Sequence, residues 1–188
     1  MPSKSDEGLI YRVFRVSGGW CAAGRTDAGI SALVLPVDTR DAAEAGIRSR
    51  LDTARASRSA LRDLVEAVRR YFNGWRTTFD DFPLDLSAGT PFQQRVWATV
   101  RRVPYGRVRT YHWIGMEIGR PAAARAIGNA VGANPVPLLV PCHRIVGADG
   151  TLGGFSAEGG PDLKAALLEL ERIPVHTHGT KRRVAMRG

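Results

Sequence analysis

Cysteine is scarce in this chain of 188 residues, which contains only Cys21 and Cys142. Two cysteines 121 positions apart do not form the framework of a disulfide-rich fold, and they indicate a reducing compartment. Metal-ligand spacing is also absent, because there is no Cys-x-x-Cys and His176 and His178 stand by themselves in a polar tail. We therefore predict no metal site and no cofactor.

Long hydrophobic runs are missing as well. No stretch approaches the roughly 18 apolar residues that a membrane-spanning helix needs, and Met1–Leu9 is too polar for a signal peptide. We expect a soluble, cytoplasmic protein that does not associate with membranes.

Acidic residues are few in the second half of the chain. Residues 1–88 carry 13 basic and 12 acidic side chains, whereas residues 89–188 carry 14 basic and 6 acidic ones, so that nearly all of the net charge of +9 lies there. Between Arg95 and Arg125 there are seven arginines and one acid, Glu117. A nucleic-acid phosphate backbone is the natural partner of such a charge distribution.

The first half predicts a small α/β domain over residues 1–85, with an antiparallel sheet and helices. Strands are expected at Leu9–Val16, Gly19–Ala23 and Gly29–Leu35, and helices at Asp41–Leu51 and Ala60–Phe72. Cys21 falls within the second strand, where its simplest interpretation is a small core residue.

A mainly α-helical C-terminal domain is predicted over residues 90–173. Thr90 and Pro91 are typical of a helix start, and a helix is expected from there to about Arg102. Tyr111–Ile118 and Pro121–Val131 predict a helix-turn-helix, and Asp162–Arg172 predicts a last helix. The basic tail, residues 174–188, is expected to be disordered.

The tetrapeptide Pro141-Cys142-His143-Arg144 follows a strand-like apolar run, Val136–Val140. Neighbouring residues of a strand point to opposite faces, so Cys142 and His143 can cooperate only if the chain turns, and Pro141 favours a turn. An unperturbed thiol is only slightly ionised near pH 7, and an imidazole can activate it. The residues alone leave two interpretations open, a nucleophile or a buried structural cysteine beside an exposed histidine.

Six blocks, in order, extend this motif over residues 91–171. They are Pro91–Trp97, Val103–Gly106, Thr110–Tyr111, Ala123–Gly128, Asn134–Pro137 and Pro141–Val146. Together they resemble the O6-alkylguanine-DNA alkyltransferases, also called methylated-DNA–protein-cysteine methyltransferases. The resemblance implies single-turnover repair of O6-alkylguanine, and of O4-alkylthymine, in double-stranded DNA, by a monomer that transfers the alkyl group to its own cysteine.

The resemblance also implies roles for individual residues. Cys142 is the nucleophile, His143 takes the thiol proton through water, Glu171 orients that histidine and Tyr111 protonates the leaving purine. Glu169 competes with Glu171 for the orienting role, and only spacing favours Glu171. Arg125 is the wedge that replaces an extruded nucleotide in the minor groove. The remaining DNA-contact residues are Thr110, Ala124, Ala126 and Gly128, and the pocket or its framework is formed by Asn134, Val140, Phe155 and Ser156.

One loop departs from the family pattern. Phe155 stands where a tyrosine is usual, and Lys164 follows nine positions later instead of about seven. We expect this longer, glycine-rich loop to set which alkyl groups are accepted, with Ser156 as a donor to the guanine oxygen.

Three other functions are compatible with parts of the pattern. An alkyltransferase-like protein binds lesions without a reactive cysteine, which Cys142 argues against. A transcriptional regulator of this family needs additional domains, for which this chain has no room. A cysteine hydrolase would turn over repeatedly on ester or peptide substrates.

Overall fold

The computed structural model describes residues 8–178 and 181–185. The chain divides into two units, residues 1–88 and 89–188. Within the described residues, no helix is long and apolar enough to cross a membrane. The two units have different architectures.

The N-terminal unit is built on a four-stranded sheet. The strands are β1 (Ile10–Val16), β2 (Gly19–Thr26), β3 (Gly29–Val37) and β4 (Arg55–Ala56), in the order β3-β2-β1-β4. The first three pair antiparallel, and β4 adds to β1 in parallel. Gly29, with φ of 151°, is required at the β2–β3 turn, because a Cβ there would lie 2.5 Å from the carbonyl oxygen of Pro83.

Two helices complete this unit, α1 (Arg40–Arg48) and α2 (Arg62–Phe72). Thr39 caps α1 by accepting a hydrogen bond from the N–H of Ala42. The apolar face of α1 contributes Ala43 and Ile47 to a core that it shares with Tyr11, Ala22 and Val34 of the sheet. The predicted α/β fold is confirmed, although both helices begin or end a few residues from their predicted bounds.

The C-terminal unit is mainly helical, as predicted. Its helices are α3 (Pro91–Arg101), α4 (Tyr111–Glu117), α5 (Ala124–Gly132) and α6 (Gly160–Leu170). Thr90 and Gln93 cap α3 reciprocally, which is the start that Thr90-Pro91 predicted. Trp97 of α3 donates its indole N–H to the carbonyl of Ala130 at 2.7 Å, which joins α3 to α5.

Helices α4 and α5 form the predicted helix-turn-helix. Gly115 permits their close approach, because a Cβ there would lie 3.0 Å from the carbonyl oxygen of Arg120. The second helix begins at Ala124, later than the predicted Pro121, since Arg120 and Ala123 are joined in a turn.

The chain before the Pro-Cys-His motif is not a strand, so that expectation is wrong. Leu138 has a left-handed backbone, with φ of 71°, and the N–H of Val140 donates to the carbonyl of Val136, which makes a tight turn. A short 3₁₀ helix, Cys142–Arg144, follows directly. Two short parallel strands, β5 (Arg109–Thr110) and β6 (Ile145–Val146), then join this region to the start of α4.

The expectation of a disordered tail is wrong for residues 175–178 and 181–184. Strands β7 (Val175–His178) and β8 (Lys181–Val184) form an antiparallel hairpin. Val184 is buried in an apolar cluster with Val146, Leu152 and Ile173. Burial of this side chain stabilises the folded hairpin, although most of the tail is polar. Residues 179–180 and 186–188 of the predicted tail lie outside the described part of the chain.

Candidate active site

A change of chain direction brings Cys142 and His143 into the interior together. Pro141 is followed by the single 3₁₀ turn, in which neither residue has strand geometry. Cys142 is 6% exposed and His143 is fully buried. Because successive residues of a 3₁₀ turn do not alternate between two faces, both side chains can serve one site, as the sequence required.

Cys142 opens onto a cavity of about 430 Å³. The other lining residues are Tyr111, Gly128, Val131, Gly132, Gly154, Phe155 and Ser156. Of the residues predicted for the site, the structure therefore brings Cys142, Tyr111, Gly128, Phe155 and Ser156 to one cavity. A cavity of this size is within the range that binds small organic groups.

Behind the cysteine lies a buried ionic network centred on Glu171. The ring Nε2 of His143 lies 2.7 Å from Glu171 Oε1, and a carboxylate can only accept, so Nε2 carries the proton. Arg144 donates from Nη2 to Oε1 at 2.9 Å and from Nε to Oε2 at 2.9 Å. Glu169, the competing acid, is exposed. The contact with His143 is made by Glu171.

Further donors complete this network. The N–H of Gly106 donates to Glu171 Oε2 at 3.0 Å, and Arg144 Nη1 donates to the carbonyl of Val103 at 2.6 Å. Burial alone would raise the pKa of Glu171, but hydrogen bonds and charge from His143 and Arg144 lower it to about 2. Glu171 is therefore a carboxylate throughout the physiological pH range.

The protonation state of His143 suits a proton acceptor. Burial lowers its pKa below the ordinary value, and this outweighs the opposing effect of Glu171. The imidazole is thus neutral near pH 7, with its proton held on Nε2 by the carboxylate. Its Nδ1 is the basic nitrogen that can take a proton.

Two opposing effects act on the Cys142 thiol. Burial raises its pKa, whereas the Asn134 amide, the charge of Lys164 and backbone N–H groups of the turn lower it. Tyr111 is also affected, because burial and then the negative charge of Cys142 raise its pKa. The resting site therefore holds a neutral thiol and a neutral phenol, and the thiol needs a base to react.

Asn134 holds the turn in place. Its Nδ2 donates to the carbonyl of Val140 at 2.7 Å, and its Oδ1 accepts from the N–H of Val136 at 3.1 Å. Asn134 and Val140 are both buried. Their geometry supports a framework role, since they fix the peptide that precedes Pro141.

The predicted DNA-contact residues lie mostly on the first turns of α5. Ala124, Arg125 and Ala126 are exposed, whereas Ile127 is buried. A Cβ added at Gly128 would meet no atom within 4 Å, so packing inside the protein does not demand a glycine there. Thr110 is the N-cap of α4, and its hydroxyl accepts from the N–H of Trp113 at 3.0 Å.

Sequence reasoning missed two buried cations of the site. Arg144 was part of the motif but received no role. Lys164 was used only as a spacing marker, yet its Nζ donates to the carbonyls of Ile145 at 2.6 Å and Leu152 at 2.5 Å. Burial lowers the pKa of Lys164 to about 8. The available signal was a lone basic residue within the otherwise apolar face of α6.

Comparison with known proteins places this geometry in a family. A sequence model described as the DNA binding domain of 6-O-methylguanine DNA methyltransferase matches residues 91–173. The methylated-DNA–protein-cysteine methyltransferase of Mycobacterium leprae is 46% identical over 63% of this chain and 69% of its own length. The Haemophilus influenzae protein of the same name is 46% identical over 61% of this chain and 63% of its own length.

The chain belongs to the methylated-DNA–protein-cysteine methyltransferase family.

Solved structures of the methyltransferases agree over a larger part of the chain. OGT of Mycobacterium tuberculosis, solved in complex with DNA, is 39% identical, with a TM-score of 0.74 over 87% of this chain and 92% of its own. O6-methylguanine-DNA methyltransferase of Pyrococcus kodakaraensis is 25% identical, with a TM-score of 0.68. The sequence alignments, by contrast, span 63% of the Haemophilus influenzae methyltransferase and 66% of the Mycobacterium tuberculosis one.

Proposed function

We propose that this protein repairs DNA by transferring the alkyl group of O6-alkylguanine to Cys142 in a single turnover. The observation that carries the proposal is a cysteine that lines a cavity and is followed by a buried histidine, whose proton position is fixed by a carboxylate. Residues 90–173 would carry both DNA binding and transfer. O4-alkylthymine, which offers a similar alkylated oxygen on a flat ring, is a second substrate.

The reaction is a displacement at carbon. The thiol proton passes to His143 through a bridging water, the sulfur of Cys142 bonds to the alkyl carbon, and the carbon–oxygen bond breaks with its electron pair going to the guanine. Tyr111 protonates the departing purine and regains its proton from His143 through solvent. The products are S-alkylcysteine and guanine, and no oxidant, reductant or cofactor enters the balance.

Substrate access requires the damaged base to leave the duplex. The exposed, nearly bulk-free start of α5 allows the helix to approach the minor groove, with Arg125 as the side chain that fills the gap. Thr110, Ala124, Ala126 and Gly128 would line this contact, and the excess of basic residues supplies phosphate attraction. We further propose a monomer that acts in the cytoplasm.

Intact-protein mass spectrometry tests the transfer. After incubation with a duplex that contains O6-methylguanine, the protein should gain the mass of one methylene unit, and peptide mapping should place it on Cys142. An adduct on Cys21, repeated turnover or no mass change would contradict the proposal.

Arg125→Ala tests the wedge. Extrusion of a base costs a few kcal/mol, so we expect repair of duplex DNA to slow by about 10-fold or more, while reaction with free O6-benzylguanine changes little. Asn129→Ala, at an exposed position of the same helix, is the matched control. Equal slowing of both reactions would assign Arg125 to the chemistry or the fold instead.

A further inference from the structure

The C-terminal hairpin, β7 and β8, lies beyond residue 173, where the match to the family's DNA binding domain ends. Its strands pair in register from Val175 with Val184 to His178 with Lys181. Val184 is 4% exposed, and Val175 packs against the same apolar cluster as Leu152 and Leu168. The hairpin is therefore an integrated part of the C-terminal unit.

Backbone hydrogen bonds join this hairpin to the loop that follows the active-site turn. The N–H of Leu152 donates to the carbonyl of Arg182 at 3.1 Å, and the N–H of Val184 donates to the carbonyl of Gly150 at 3.0 Å. Side chains add to these bonds. Arg183 Nη2 lies 3.2 Å from Asp149 Oδ2, and Arg182 pairs with Asp162 at the start of α6.

Leu152 directly precedes residues 153–155, which we call the wall of the Cys142 cavity. Its carbonyl accepts from Lys164 Nζ at 2.5 Å and its side chain is 2% exposed, so both its peptide groups and its side chain are held. The next residue, Gly153, has φ of 67°, and a Cβ there would lie 3.6 Å from the hydroxyl of Tyr111. Gly154 and Phe155 then line the cavity with Cys142.

The far end of the same wall is also held. The hydroxyl of Ser156 donates to the carbonyl of Gly132, the last residue of α5, at 2.6 Å. The wall, residues 153–155, is thus a short span with two fixed ends. One end depends on α5, and the other depends in part on the hairpin.

We propose that the C-terminal hairpin is a positioning element that sets the size of alkyl group the cavity accepts. This rests on the proposed alkyl transfer. By fixing Leu152, the hairpin keeps the wall close to Tyr111 and Cys142. Without it, the glycine-rich wall moves outward more often, so that a methyl group is held less well and a bulky group gains room.

A chain that ends at Pro174 tests the inference directly. Amide exchange at Leu152 should become about tenfold faster, since the loss of one hydrogen bond lowers the local opening free energy by an amount of that order. Transfer from matched duplexes carrying O6-methylguanine or O6-benzylguanine should show a benzyl-to-methyl rate ratio about threefold higher or more. Both rates are measured with the protein in saturating excess over DNA, so that differences in DNA affinity do not enter the ratio.

Point variants separate positioning from general stability. Val184→Ala weakens the docking of the hairpin without removing it, and should move the exchange rate and the rate ratio in the same direction as the truncation. It also keeps the test valid if the shortened chain does not fold. Lys181→Ala, at an exposed position of β8, should change neither quantity.

Every outcome supports or overturns the proposal that the hairpin sets the size of the accepted alkyl group. A rate ratio that stays unchanged while Leu152 exchanges faster would overturn the proposal and leave the hairpin as a surface support. Equal loss of both transfers, in parallel with a lower melting temperature, would also overturn it. If the intact protein transfers no alkyl group, the proposed function fails, and unchanged exchange at Leu152 would separately exclude the contact on which the hairpin proposal depends.

Discussion

Each of the two units buries one cysteine, and burial alone does not make a thiol a nucleophile. Cys21 lies in β2, opposite Phe14 of β1, and is fully buried. Burial is the cause that raises its pKa. Cys142 is almost as buried, but an amide, an ammonium group and backbone N–H groups oppose the effect of burial. The groups around Cys142, rather than the extent of its burial, distinguish it from Cys21.

The local backbone differs between the two sites. Cys21 pairs with Phe14 of β1 and lies at the register shift between β2 and β3, and burial is the cause that shifts its pKa. At the 3₁₀ turn, backbone N–H groups lower the pKa of the Cys142 thiol and so oppose the effect of burial. An irregular backbone is therefore part of the chemistry at Cys142.

The largest effect should come from exchanging the reactive thiol. Cys142→Ser should abolish alkyl transfer, because a hydroxyl is a far weaker nucleophile in the same position, while DNA binding stays close to that of the native protein. Cys21→Ser is the matched substitution and should transfer at the native rate. Gel-based transfer of labelled methyl from DNA to protein measures both. Transfer by the Cys142 variant would show that the two cysteines have been assigned wrongly.

Acid should disrupt the environment of Cys142 before that of Cys21. The pKa of Glu171 falls from 4.5 to about 2 on folding, so the unfolded chain binds more protons between these values. Stability from this group is complete above pH 4.5 and is lost as the pH falls to 2, by about 3 kcal/mol.

Thiol labelling during acidification measures this order. A dithiodipyridine reagent, which still reacts in acid, should reach Cys142 at a higher pH than Cys21. Glu171→Gln should remove the part of the pH dependence of Cys142 labelling that lies between pH 4.5 and 2, because that carboxylate no longer titrates. Simultaneous exposure of both thiols in the native protein would contradict the expectation.

Loss of the carboxylate should also slow the reaction itself. In folded Glu171→Gln we expect transfer to fall by about 10- to 100-fold, because His143 no longer has its proton fixed on Nε2. The variant leaves the buried guanidinium of Arg144 without a charged partner, so its free energy of unfolding should fall by about 3–5 kcal/mol. Glu169→Gln, two residues away and exposed, should alter neither. A native transfer rate in folded Glu171→Gln would exclude the orienting role.

The sequence predicted the features that depend on residues close together in the chain or on the spacing of the family motif. Thr90-Pro91 marked the start of α3 because a helix cap is formed by residues three apart. The pairing of Glu171 with His143 was reached through motif spacing. Arg144 received no role because its partners, Glu171 and Val103, lie 27 and 41 positions away.

The errors have a different physical origin. The run Val136–Val140 has strand composition, but Asn134 satisfies its polar groups locally and stabilises a turn instead. The tail has a disordered composition, yet Gly150 and Leu152 offer backbone groups for pairing and an apolar cluster accepts Val184. In the run, a side chain a few positions away outweighs the strand preference of its residues. In the tail, tertiary contacts outweigh the disordered composition.

The smallest effect should come from weakening one of the groups that distinguish the two thiols. Asn134→Ala removes the amide that lowers the pKa of the Cys142 thiol. We therefore expect this pKa to rise and the reaction near pH 7 to slow by up to about tenfold. Alkylation by iodoacetamide across a pH series, followed by peptide mass spectrometry, reports both cysteines in one sample. Cys21 serves as the internal control, because it lies in the other unit and its labelling should not change. If the pH midpoint of Cys142 is the same in the variant, Asn134 acts only by holding the turn at Val140, and the contrast between the two thiols must then come from Lys164 and the backbone.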